Sequence, residues 1–209
     1  GAAGIAAAFN APLAGVLFAI EEMAGAYEHR MSGVVLTTVI IAGMVSLGLL
    51  GDYSYFGRVD SVLPLSGSWL AILLCGTVCG LGGGVFARLI LLDGARVFAH
   101  IAAWRQRWPL AFAAACGLAM ALLGLASGST VYGTGYDQAR AILQETGLAP
   151  SDGFGIFKFF ANVVTYWAGI PGGIFSPALA VGAGLGHNLA ALVPAAEPSA
   201  VVLLGMAGY

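Results

Sequence analysis

The residues best placed to do chemistry in this sequence act through their backbone rather than their side chains. In Ala168-Gly-Ile-Pro-Gly-Gly-Ile-Phe-Ser-Pro177, two prolines and three glycines interrupt a region that otherwise reads as two apolar helices, so the backbone must unwind there. Pro177 suits the first turn of the following helix, which leaves the amides of residues 172–176 without intrahelical partners. A helix start carries about half a positive charge, and Gly172 and Gly173 let an ion reach the backbone unobstructed. The chemistry predicted is reversible anion binding by the amides of Gly173, Ile174, Phe175 and Ser176, with Gly172 and Pro177 supporting the turn and Phe175 as an apolar wall that strips water. Dipoles suit passage better than a lysine at the same depth, because conduction needs binding weak enough to leave. A proline-kinked helix with no ligand fits the same residues.

A second break lies at Phe9-Asn-Ala-Pro-Leu-Ala-Gly15, between one apolar helix and another that runs into Ile20-Glu-Glu-Met23. Glu21 and Glu22 sit about 100° apart around a helix. One can face a proton-accessible cavity while the other meets water or a basic partner such as Arg30, and carboxylates ending a membrane segment default to functional hypotheses. An ordinary solvated helix end is the alternative. Lys158, alone in Phe157-Lys-Phe-Phe160, either adds to the electrostatic path of an anion from outside or, as is more common, snorkels to the interface. His29, His100 and His187 show no metal-ligand spacing, and Ser176 has no matched base, so neither a metal site nor hydrolysis is expected. No phosphate-binding loop or nucleophile motif occurs, and no cofactor is implied.

The elements that position these residues belong in a bilayer. Of 209 residues, 59% are hydrophobic and 9% charged, against about 25% charged in soluble domains. The net charge of -2 and the scattered lysines and arginines exclude a nucleic-acid surface. Cys75, Cys79 and Cys116 all lie in apolar runs and read as core. Residues 31–50, 69–92 and 109–127 are each long enough to cross a hydrocarbon core of about 30 Å. Segments 5–23, 154–168 and 176–193 are short or broken, like the discontinuous helices of secondary transporters. Arg30, Arg96, Arg105 and Arg107 mark the cytoplasmic side, and Asp52, Asp60 and the loop 128–153 the outside, with Trp69, Trp104 and Trp108 near the interfaces. Gly76 and Gly80, and Gly182 and Gly186, have the i,i+4 spacing of close helix packing.

Gly1-Ala-Ala-Gly-Ile-Ala-Ala-Ala-Phe-Asn-Ala-Pro-Leu-Ala-Gly-Val-Leu-Phe-Ala-Ile-Glu-Glu-Met23 and Gly169-Ile-Pro-Gly-Gly-Ile-Phe-Ser-Pro177, in that order and at that separation, closely resemble the CLC family of chloride channels and proton/chloride antiporters. The resemblance covers essentially the whole chain. It implies an all-α polytopic membrane protein of tilted and broken transmembrane helices, in which residues 1–209 form part of a single transmembrane domain truncated at both ends. It implies that the amides of Ile174 and Phe175 contact a central anion, chloride or a similar one, that Ser176 neighbours an outer site, and that Glu22 is the internal proton-transfer carboxylate of an antiporter. The expected protein is therefore a proton-coupled chloride antiporter of a bacterial inner membrane, with a passive chloride channel as the alternative. A homodimer is implied too, its surface including the apolar faces of residues 13–23 and 31–50.

Overall fold

The structure, a computed structural model, describes residues 1–18, 20–21, 29–59, 68–91, 99–146, 150–170 and 172–209, the side chains of 29–32 excepted. They are helical throughout the elements they form and fall into two compact units, Gly1–Arg58 and Val59–Tyr209.

In the first unit α1 (Ala2–Phe9) and α2 (Pro12–Phe18) are separated at Asn10, which ends α1 in the left-handed conformation at φ 51°. Asparagine tolerates that conformation better than most residues, and Pro12 opens α2 where its missing N–H removes no bond. The carbonyls at the end of α1 are then satisfied one by one. Ala11 N donates to Ala6 O at 3.1 Å. Ser46 Oγ donates to Ala7 O at 3.1 Å, and the Tyr53 hydroxyl reaches both Ala7 O and Ala8 O. Ser46 lies on α3 (His29–Leu50), whose 22 residues include an apolar span over Gly33–Leu50. At Gly15 a methyl group would sit 2.7 Å from Ala2 O, so only glycine lets α2 lie this close to α1.

The second unit begins with α4 (Trp69–Ile90), followed by α5 (Ala99–Arg107) and α6 (Pro109–Ala126). After α6 come α7 (Tyr136–Leu143), α8 (Phe154–Trp167), α9 (Phe175–Ala190) and α10 (Pro198–Gly208). The spans over α3, α4 and α6 agree with the sequence expectation to within two residues, and only 17% to 22% of each is buried inside the fold. Apolar surface left uncovered on that scale belongs against lipid or another membrane chain. Cys75, Cys79, Leu189 and Val201 meet in the core of this unit, and Cys116 is buried elsewhere in it, as their apolar settings suggest.

Within the stretch read as a simple outer loop, residues 136–143 form α7. Ala139, Ile142 and Leu143 supply its buried face at helical spacing, but two turns are too few to stand out from sequence. The paired glycines do not all serve one purpose. Gly182 and Gly186 bring α9 against α10, where added methyl groups would lie 2.6 Å from Gly205 O and 2.9 Å from Val202 Cα. Gly80 approaches Gly208 O less closely, at 3.6 Å, and Gly76 faces open space.

These contacts predict opposite outcomes for two similar substitutions. Gly182→Ala overpacks the α9–α10 contact and lowers stability by about 1–3 kcal/mol. Gly76→Ala meets nothing and gains up to about 1 kcal/mol from helix propensity. Thermal unfolding of the detergent-solubilised protein checks both; equal midpoints for the two variants would contradict the packing described.

Candidate functional site

Helices α8 and α9 form an antiparallel hairpin. Gly155 near the start of α8 packs on Gly184 of α9, Asn162 Nδ2 donates to Pro177 O at 3.1 Å, and Asn188 Nδ2 donates to Asp152 O at 2.8 Å. The connection between them is the glycine- and proline-rich break. Gly169 leaves α8 at φ +75°, a conformation that a side chain would strain. Pro171 lies outside the described residues.

From Ile174 the chain enters α9 with no side chain capping it. Pro177, third in the helix, contributes no N–H, and the first amide to close a helical bond is Ala178 N, on Ile174 O at 2.9 Å. The start of a 16-residue helix is thus left without a side-chain cap, with its dipole directed into the break. A methyl group at Gly172 or Gly173 would meet nothing within 4 Å. Packing therefore does not require glycine at either position, whereas open access to the backbone does.

A cavity of about 330 Å³ opens beside this turn. Gly172, Gly173, Ile174 and Pro177 line it from the break, Lys158 and Asn162 from α8, and Met120 from α6. The loop at Val131, Tyr132, Gly133 and Thr134 closes a further side. Phe175 and Ser176 are not among its lining residues; Phe175 is half exposed, and the buried Ser176 Oγ has no hydrogen-bond partner among the described residues.

Lys158 departs from the snorkelling that its isolation suggests. It is 1% exposed and donates to Val131 O at 2.8 Å and Gly133 O at 2.6 Å. The loop turns its carbonyls inward through positive φ at Gly128, Ser129, Gly133 and Gly135, so it takes the place of the water that snorkelling would reach. Gly135 is needed there, at φ +76° with a methyl position 3.1 Å from Lys158 Cε. Among the described residues no carboxylate pairs with Lys158, so its charge is held by carbonyl dipoles alone.

Of the four residues predicted to bind the anion, Gly173 and Ile174 line the cavity and Phe175 and Ser176 do not, and both predicted turn-supporting residues, Gly172 and Pro177, line it. Glu22, the predicted proton carrier, lies outside the described residues, and the neighbouring Glu21 is exposed. Sequence reasoning missed Asn162, whose side chain ties the two arms of the hairpin together. Its only signal was a lone amide in an apolar helix, which must find a partner if buried.

The whole chain, residues 1–209, matches the family described as voltage gated chloride channel. It is 39% identical over 197 residues to the H(+)/Cl(-) exchange transporter ClcA of Cronobacter sakazakii, covering 88% of this chain and 40% of that protein. Identity to the H(+)/Cl(-) exchange transporter ClcA of Yersinia pestis is 34% over 198 residues, with 88% and 39% covered. The chain therefore spans about 40% of the length of the relatives it matches. Among solved structures, a CLC-type fluoride/proton antiporter superposes with a TM-score of 0.78 at 26% identity, over 99% of this chain and 51% of that one.

The hairpin tie generates a direct prediction. Asn162→Leu keeps the side-chain volume but leaves Pro177 O without its partner, and stability falls by about 1–3 kcal/mol. Denaturant titration in detergent micelles measures this, and an unchanged midpoint would mean that the tie is not formed in the protein.

Proposed function

Because the chain belongs to the voltage gated chloride channel family, we propose that it carries the central anion site of a proton-coupled chloride antiporter. The observation that supports this most directly is the uncapped start of α9 opening onto a cavity beside two unobstructed glycines. The amides of Ile174 and Phe175 hold the anion, with Gly173 and Ser176 as neighbouring donors and Gly172 and Pro177 keeping the turn open. Lys158 raises the potential of the cavity without touching the anion. Glu22 moves the proton. Coupled exchange is favoured over the passive-channel alternative because the two chloride-handling relatives and the fluoride-handling structure are all named as proton exchangers.

In this reading the chain is not an enzyme. The relatives are named as transporters and an antiporter, and no base is paired with Ser176 among the described residues. The protein is an integral membrane protein, with three helices among the described residues long and apolar enough to cross a bilayer. We place it in a bacterial inner membrane, as part of one transmembrane domain and as a homodimer. The exposed Leu13, Leu17 and Met44, 81%, 64% and 68% accessible, provide apolar surface for the partner.

Two measurements on the full-length protein in liposomes test the proposal. A chloride gradient drives protons uphill in the wild type, and Glu22→Gln abolishes that proton movement while chloride still passes; chloride flux without protons in both would establish the channel reading. Lys158→Met, which removes a unit charge from the cavity wall, weakens chloride binding on the order of tenfold by calorimetry, because nearby charges at an effective dielectric near 20 interact by a few kcal/mol. If affinity is unchanged, Lys158 serves only to hold the loop.

A further inference from the structure

At the end of the second unit opposite the loop that holds Lys158, α5 packs on α6, and the cleft beside it is shared with the ends of α4 and α8. Trp104 of α5 meets Phe112 of α6 edge to face at 5.2 Å between ring centroids, which seats α5 at the start of that span. Trp167, the last residue of α8, donates its indole N–H to Leu89 O near the end of α4 at 2.9 Å. These two contacts leave a cleft of about 140 Å³ between the elements, lined by Arg105, Phe112, Tyr166 and Trp167 among others. With a water molecule occupying about 30 Å³ in the liquid, the cleft has room for a phosphate ester group.

The surroundings are cationic and amphipathic. Arg105 and Arg107 end α5, Arg88 lies in the last turn of α4, and among the described residues none of the three has a carboxylate in ion-pair contact. No residue of α5 is buried, yet Trp104 and Trp108 are only 44% and 59% exposed. Pro109 begins a transmembrane span immediately afterwards. A short exposed helix with paired arginines and tryptophans at a span boundary has the composition of a bilayer interface rather than of bulk water. Leu110 and Leu118, 86% and 63% exposed, leave apolar surface on α6 outside the cleft, available to acyl chains.

We propose that this cleft binds the headgroup of an anionic phospholipid, its phosphate on the guanidinium group of Arg105, with Arg107 and Arg88 adding positive charge nearby and its acyl chains along α6. Arginine suits the task because its planar fork pairs with two phosphate oxygens at once. The cationic cluster and the exposed leucines together favour a lipid over free phosphate, which would use only the first. The site also has a route to the anion cavity. Tyr166 lines both the cleft and the cavity, so a bound headgroup braces the wall they share. That last consequence rests on the proposed anion site; lipid binding itself does not.

Native mass spectrometry of the full-length protein in non-ionic detergent tests the inference, with phosphatidylglycerol, phosphatidylcholine and inorganic phosphate as probes. The expected result is retention of phosphatidylglycerol in preference to phosphatidylcholine, undisturbed by inorganic phosphate. Arg105→Gln weakens retention about fivefold, the equivalent of about 1 kcal/mol for one arginine at an anionic surface, and Arg107→Gln, outside the cleft, weakens it less. Arg105→Lys, which keeps the charge and loses the fork, falls between. Equal retention by wild type and the double glutamine variant overturns the proposal, as does equal binding of phosphatidylcholine or displacement of the lipid by phosphate. α5 contributes nothing to the core, so both variants keep the wild-type thermal midpoint. The readout is lipid mass rather than ion flux, which keeps a failure here separate from a failure of the antiporter reading.

Discussion

Everything in this fold answers to one constraint: a backbone amide or carbonyl withdrawn from water must find a partner. The chain interrupts its helices twice and resolves the constraint in two ways. At the end of α1 the protein itself supplies partners for three carbonyls, with Ala11 N on Ala6 O, Ser46 on Ala7 O and Tyr53 on Ala7 O and Ala8 O. At the start of α9 no side chain caps the helix, and a cavity opens instead. Gly172 to Phe175 are exposed at that start, so the backbone there is served from the cavity side rather than by a side-chain cap.

The constraint also explains why glycine does so much of the packing around that space. Two arms of a hairpin must run antiparallel with their turn at depth, and no hydrophobic drive between helices and lipid pulls them together. Close backbone approach replaces it. Gly155 lies on Gly184, where a methyl group would sit 2.6 Å from Gly155 Cα, and Gly182 and Gly186 repeat the arrangement against α10. Asn162 adds a directional tie to Pro177 O within the first turn of α9. The position of the α9 start is thus set by contacts on both faces of that helix.

What could be read from sequence was what is local. Uninterrupted apolar length marked α3, α4 and α6, and the prolines and glycines of residues 168–177 marked the break, because both signals are carried by neighbouring residues. What escaped depends on partners far along the chain. Lys158 is buried rather than snorkelling because carbonyls 27 and 25 residues earlier reach it. Tyr53 completes the end of α1 from 46 residues away, and nothing in its own surroundings announces that task. Gly172, Gly173, Ile174 and Pro177, which line the cavity, were legible as part of one break because its prolines and glycines are neighbours in sequence. Asn162 and the loop at Val131 to Thr134 were not, since their relevance arises only when α6, α8 and α9 come together.

The placing of Lys158 decides how strongly such a site can hold its ion. Burial of an ammonium group costs several kcal/mol, and two charge-assisted hydrogen bonds at about 1.5–3 kcal/mol each offset much of that without a carboxylate. A carboxylate partner would have cancelled the field that the lysine projects into the cavity; carbonyl dipoles hold the cation and leave most of the field intact. In the proposed site that field draws an anion toward the cavity, at an effective dielectric of about 20 far more weakly than in a dry interior. Contact would then fall to the neutral amides of α9, whose partial charges release an ion as readily as they accept it. Separating attraction from contact in this way fits a lone cation on the cavity wall, bonded to a loop, and a helix start, Phe175-Ser-Pro-Ala178, that carries no charged side chain.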